Sequence, residues 1–254
     1  NWYSIFAYAL GVSFVVSALL THVVRRLAIR WNVLDHPGER KMQSEPVPLL
    51  GGVAIALTFY LIILGNMLAL LGAHWLNWDW LQVNVLSFLG TELEAVWKLA
   101  GVFAGSLVIV IVGVVDDLYA LRPEKKLIGQ IAAALVLVLC GIRFDFLNDV
   151  IGDHVIISSL VTIVWVIAMT NALNFLDNMD GLCAGVSAIA ALSFFACVLP
   201  SSQTFLCVLL MVFAGAVCGF LYHNFSPARI FMGDAGAMFC GYILATVAVL
   251  GTFY

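Results

Sequence analysis

Eight long apolar runs, each close to the thickness of a bilayer and each closed by polar, Gly or Pro punctuation, leave this chain little choice of solvent. They fall at about 4–27, 49–72, 94–115, 127–142, 156–175, 181–199, 203–222 and 235–254. With 63% hydrophobic and only 10% charged residues, the chain lacks the charged surface, about a quarter of all residues, that a soluble domain carries. The predicted architecture is therefore an all-α, polytopic transmembrane helical bundle of about eight spans, one integral membrane domain covering 1–254. A net charge of −4 and the absence of any basic run exclude a nucleic-acid partner. The six cysteines lie within apolar runs without CxxC or Cys/His spacing, and read as small core residues.

Orientation follows from the basic residues. With the amino terminus outside, the inner connections hold Arg25, Arg26, Arg30, Arg40, Lys41, Arg122, Lys125, Lys126 and Arg229, nine of the eleven Lys and Arg. Only Lys98 and Arg143 fall outside, as the positive-inside rule expects. Trp75, Trp78 and Trp80 between the second and third spans read as an interfacial aromatic belt. The chain starts at Asn1 and stops at Tyr254 within an apolar run, and is expected to be a fragment truncated at its carboxyl end.

Acids at the ends of membrane spans need a reason, because a carboxylate in hydrocarbon costs at least about 2.5–3.5 kcal/mol. Asp116 and Asp117 close the third span, Asp177 and Asp180 close the fifth, and Asp234 opens the eighth. All five lie on the inner face in the orientation just derived. Asn171, Asn174, Asp177 and Asp180 recur every three residues, which on a helix places successive side chains near one another. Taken singly, Asp234 also reads as a helix N-cap, and Asp116-Asp117 as a turn neutralised by Arg122, Lys125 and Lys126.

Clustered carboxylates repel unless a cation sits among them, and hard oxygen ligands suit Mg2+, with Mn2+ as the alternative ion. Magnesium commonly keeps several waters and takes one or two carboxylates plus substrate phosphates, which implies a phosphate-bearing ligand. In Pro46-Val47-Pro48-Leu49-Leu50-Gly51-Gly52, the prolines stiffen the approach to span two and the glycines permit close backbone contact. The unpaired N–H groups of that helix start are expected to favour anions. Among the histidines only His223, next to Asn224, is retained as a minor candidate. A transporter for an ion or small anion is the rival reading, since intramembrane acids commonly mark ion paths; it predicts ionisable groups near mid-bilayer rather than at one face.

Five motifs in order, Asp35 to Lys41, Pro46 to Gly52, Val115 to Tyr119, Asn171 to Leu182 and Phe231 to Gly236, resemble the polyprenyl-phosphate N-acetylhexosamine-1-phosphate transferases. The likeness runs from about residue 35 to 240 and is closest to the bacterial branch using UDP-N-acetylglucosamine and undecaprenyl phosphate. Phospho-N-acetylmuramoyl-pentapeptide transferase is a cousin. The resemblance implies Mg2+-dependent transfer of a sugar 1-phosphate from a UDP-sugar to a polyprenyl phosphate lipid, with release of UMP, in a bacterial plasma membrane with the site facing the cytoplasm. It implies that Asp234 binds metal, with Asp117 as its partner, and that Asp116 or Asp117 deprotonates the lipid phosphate or helps place the metal. It assigns Asn171, Asn174, Asp177, Asp180 and Asn224 to the nucleotide-sugar site, Phe231 to stacking on uracil and Lys41 to a basic position near the substrate. A homodimer is kept among the partner expectations. The chain departs from the pattern at Gln43 and Ala120, and a late histidine-rich loop of the family, which has about ten or eleven spans, has no counterpart within 1–254.

Overall fold

A computed structural model describes residues 2–37, 45–75, 93–144, 154–201 and 203–251. Lys41, Trp78 and Trp80 lie outside the described residues. Among the described residues eight α-helices follow in order: α1 (Trp2–Arg30), α2 (Gly51–Trp75), α3 (Leu93–Tyr119), α4 (Pro123–Leu139), α5 (Val155–Leu176), α6 (Leu182–Val198), α7 (Thr204–Asn224) and α8 (Gly233–Gly251). Seven of them are long and apolar enough to cross a bilayer. The exception is α4, whose 17 residues reach about 26 Å against a hydrocarbon core of about 30 Å. It starts four residues earlier than the periodicity suggests, because Pro123 suits the first helical position and Glu124 complements the helix dipole. It ends at Gly141, whose φ of +82° breaks the helix.

Helix α8 is the pillar of the bundle. The most apolar stretch of α8 is 83% buried, against 22% for α5 and 28% for α1. It packs against α2, α3, α5 and α6, while α1 lies along α7. Between helices surrounded by lipid there is no hydrophobic drive, so association depends on close van der Waals contact between small residues. A Cβ placed on Gly52 would come within 2.0 Å of the Gly236 Cα, so α2 and α8 cross backbone to backbone. Gly113 of α3 is held as tightly against Ala235. Along α1, Ser17 donates a hydrogen bond to the Ala216 carbonyl at 2.5 Å. Deeper in the bundle, the Phe59 ring meets Phe239 edge-to-face at 5.6 Å and leans on Phe103 and Phe213, which ties α2, α3, α7 and α8 together.

The connection from α1 to α2 forms a two-stranded antiparallel ribbon, β1 (Leu34–Asp35) with β2 (Val47–Pro48). Beyond it, Gly51 N–H donates to the Phe231 carbonyl at 2.9 Å and Gly52 N–H to the Met232 carbonyl at 2.8 Å. The donors at the start of α2 are therefore used by the α7–α8 loop, which corrects the expectation that they stand ready for an anion. The glycines serve the close approach instead.

Candidate active site

Three chain segments bring their acids to one end of the bundle. The first is the last turn of α3, which runs on to Tyr119, so Asp116 and Asp117 are helical rather than beyond the helix. Asp117 reaches the start of α8: Oδ1 accepts the Asp234 N–H at 2.7 Å and Oδ2 accepts the Ala235 N–H at 3.2 Å. This is an N-cap supplied by another helix, and it satisfies two donors that a helix start leaves unpaired. Gly233 makes it sterically possible, with φ of +73° and a position where any Cβ would meet the Asp117 carboxylate at 2.7 Å.

Because Asp117 does the capping, Asp234 is freed from it. Asp234 Oδ1 accepts a short hydrogen bond from the Asn174 amide, and Oδ2 faces the Lys126 ammonium at 3.3 Å. Lys126 also pairs closely with Asp116, which is 5% exposed and accepts the Leu121 N–H at 2.7 Å. The neutralising role open to Arg122, Lys125 or Lys126 is thus filled by Lys126, one turn into α4.

Helix α5 ends at Leu176, so the three-residue repeat is helical only as far as Asn174. Asp177 is the C-cap residue and Asp180 lies in the following turn. Asp177 nonetheless faces the other acids. Burial, and then the charges of Asp117 and Asp234, push its carboxyl up to about 8, with the Gly233 N–H pulling the other way. Asp117, Asp177 and Asp234 therefore share one electrostatic neighbourhood.

Asp180 turns elsewhere. Its Oδ2 accepts the Ala228 N–H at 2.9 Å in the α7–α8 loop. Asn224, 3% exposed, bridges the Gly181 N–H at 3.0 Å and the Ile230 carbonyl at 3.0 Å. These two side chains clamp the loop that carries Phe231, a half-buried residue whose backbone is bonded to Pro48 and Gly51 at the start of α2. Both side chains thereby hold the α7–α8 loop against the end of α5 and the turn after it.

Asn171 pairs with Gln130, which the sequence reading passed over. The Asn171 amide donates to Gln130 Oε1 at 2.7 Å, and the Gln130 amide returns the bond to Asn171 Oδ1 at 3.2 Å. Gln130 is one turn beyond Lys126 and Asn171 one turn before Asn174, so the pair fixes the spacing of the two helices whose side chains converge on Asp234. A polar side chain four residues after a basic helix start was the available signal, and an apolar surround disguised it. Gln130→Leu is expected to lower stability by about 0.6–1.7 kcal/mol, the range for interhelical hydrogen bonds in membranes, in thermal melts of the detergent-purified protein. Lys126→Met leaves the buried Asp116 carboxyl without its ammonium and is expected to cost about 2 kcal/mol in the same measurement.

Lys126 thus pairs with two of the carboxylates, Asp116 and Asp234, while Asp117 and Asp177 lie beside them without an ammonium partner among the described residues. Among the described residues, no three His, Cys, Asp or Glu side chains form a closed metal cage. The donor chemistry fits Mg2+ in its usual mode, one or two carboxylates with the remaining positions left to water and phosphate.

Comparisons with known proteins identify the family. The model of Glycosyl transferase family 4 matches residues 99–252. A probable undecaprenyl-phosphate N-acetylglucosaminyl 1-phosphate transferase of Bacillus subtilis is 29% identical over 95% of this chain and 63% of its own length. A decaprenyl-phosphate N-acetylglucosaminephosphotransferase of Mycolicibacterium smegmatis is 33% identical over 92% of this chain and 57% of its own. A phospho-N-acetylmuramoyl-pentapeptide-transferase of Desulforudis audaxviator is 31% identical over 95% of this chain and 75% of its own. The chain spans about three fifths of the length of the first two relatives. The matched segment begins within α3 and holds every carboxylate of the cluster, and the chain belongs to glycosyl transferase family 4.

Proposed function

We propose that the protein of which this chain is part transfers N-acetylglucosamine 1-phosphate from UDP-N-acetylglucosamine to undecaprenyl phosphate, releasing UMP, as an initiating step of cell-envelope glycan synthesis. The observation that carries the proposal is the convergence of Asp117, Asp177 and Asp234 with Lys126 and Asn174 at one end of a membrane bundle. Names of the relatives support the same donor group and a polyprenyl phosphate acceptor.

Phosphoryl transfer asks little covalent work of a protein; it needs in-line placement and cancellation of charge on the phosphoryl oxygens. Asp234 and Asp117 would hold Mg2+, or Mn2+ in its place, with Asp177 beside them. Bound there, the ion would supply charge cancellation on the sugar diphosphate. Asn174 orients the Asp234 carboxylate by donating to one of its oxygens, and Lys126 adds a positive charge at the other. Asp116 is held by Lys126 and the Leu121 N–H, and Asp117 by the Asp234 and Ala235 N–H groups, so both are fixed in place, and one or the other would orient the attacking phosphate. Phe231, on the clamped α7–α8 loop, is assigned to the uracil ring. The basic residues Arg25 and Arg229 lie at the acidic end, which supports a cytoplasm-facing site in a bacterial plasma membrane.

The test is to incubate the detergent-purified full-length protein with UDP-N-acetylglucosamine, undecaprenyl phosphate and Mg2+. UMP release that needs all three, with a diphosphate-linked lipid as co-product, is the expected result. No UMP with either N-acetylglucosamine or N-acetylgalactosamine donors would overturn the reading.

A further inference from the structure

A second polar cluster lies at the same end of the bundle, made of two arginines and two histidines. Arg25 of α1 donates from Nε to the Arg229 carbonyl at 3.0 Å, and Arg229 donates its N–H to the His223 carbonyl at 2.9 Å. His223, at the end of α7, places a ring nitrogen 3.1 Å from the Ala18 carbonyl of α1. His22, Arg25 and Arg229 all lie within Coulombic range of that imidazole. Four basic side chains from α1, the end of α7 and the α7–α8 loop thus meet in one place. Among the described residues none of the four is ion-paired with a carboxylate; Asp180, bound to the neighbouring Ala228 N–H, is not paired with Arg229.

Cations that merely set topology need only be exposed, as Arg26 and Arg30 are on the same helix. Drawing cations together is unfavourable unless an anion joins them. Arg25 is also half-buried, and its bond to the Arg229 carbonyl engages Nε while leaving the two terminal guanidinium nitrogens to a ligand. Depth identifies the kind of anion. Helix α1 has 29 residues, about 43 Å, so its last turns extend past a core of about 30 Å, whereas α7 ends beside Ala18. The cluster sits where α7 stops, at headgroup level. Exposed Val15, Leu19 and Val23 continue one face of α1 into the core, and exposed Tyr222 and Phe225 flank the end of α7 as interfacial aromatics do.

We propose that His22, Arg25, His223 and Arg229 form a binding site for the phosphate of an anionic phospholipid, whose acyl chains lie along α1. The site uses none of the carboxylates assigned to the transfer reaction, and the proposal does not depend on that reaction.

The experiment measures binding of phosphatidylglycerol to the delipidated full-length protein by native mass spectrometry, with phosphatidylcholine and inorganic phosphate as separate probes. At about fivefold for each cation removed, R25Q/R229Q is expected to weaken phosphatidylglycerol binding about 25-fold, while R26Q/R30Q changes it less than about fivefold. R229Q alone keeps the backbone carbonyl that Arg25 uses, so it should fold as the parent does and still lose about fivefold. Equal losses in the two double variants would mean diffuse surface attraction and overturn the site. So would equal affinity for phosphatidylcholine. Displacement of the lipid by millimolar inorganic phosphate would assign the cluster to a soluble phosphate and overturn the lipid assignment.

Discussion

Replacing Asp234 by Asn in the full-length protein is expected to lower UMP release by about 10²–10³-fold, the usual loss when one preorganised group facing developing charge is removed. The fold should survive. Asn is isosteric, its carbonyl oxygen can still accept from Asn174, and the capping of α8 belongs to Asp117 rather than to residue 234. What disappears is the negative charge facing Lys126 and the oxygen assigned to the metal. Asp117→Asn should behave differently, losing turnover and also melting earlier by about 0.5–2 kcal/mol, because an amide has one acceptor where the carboxylate serves two N–H groups. Near-normal turnover in Asp234→Asn would remove Asp234 from the mechanism.

The largest stability effect is expected at Gly52→Val. Its Cβ would fall 2.0 Å from Gly236 Cα and 2.1 Å from Gly236 N, and backbone cannot move aside as a side chain can. Ordinary overpacking costs about 1–3 kcal/mol, and this site should reach or exceed the top of that range. The start of α2 would also be pushed off the Phe231 and Met232 carbonyls, so the α7–α8 loop should shift with it. Thermal melting in detergent checks the prediction, with Gly65→Ala as the control: the same helix, but nothing within 4 Å of the added methyl, and an expected change near zero. Equal melting of the two variants would show that α2 and α8 are not in backbone contact.

Helix number and the clustering of acids were legible because both are statements about solvent. Lipid demands long apolar runs, and it makes every carboxylate at a run's end conspicuous. The partners of those carboxylates were less legible. That Asp117 caps α8 depends on a contact across 117 positions of sequence, and only the positive φ of Gly233 hints at a special backbone there. Reading Asp234 as a cap was locally sensible; the donor-rich helix start is the right one, but the acceptor comes from α3. Gln130 was hidden by α4, whose polar side chains look like ordinary inner-face solubility until its packing against α3 and α5 turns them inward; Lys126 was named only as one of three neutralising cations. That Asp180 and Asn224 also bond to backbone around the α7–α8 loop is a contact that spacing alone does not show.

Helix α8, walled in on nearly every side, also sets where the molecule can breathe. Its amides should be the slowest in the chain to trade hydrogen for deuterium, with α5 and α1 the fastest of the spanning helices, because local opening is easiest where few neighbours must let go. A hydrophobic tail arriving sideways from the bilayer would then find its give at the outer helices, while the start of α8, with Asp234, stays put.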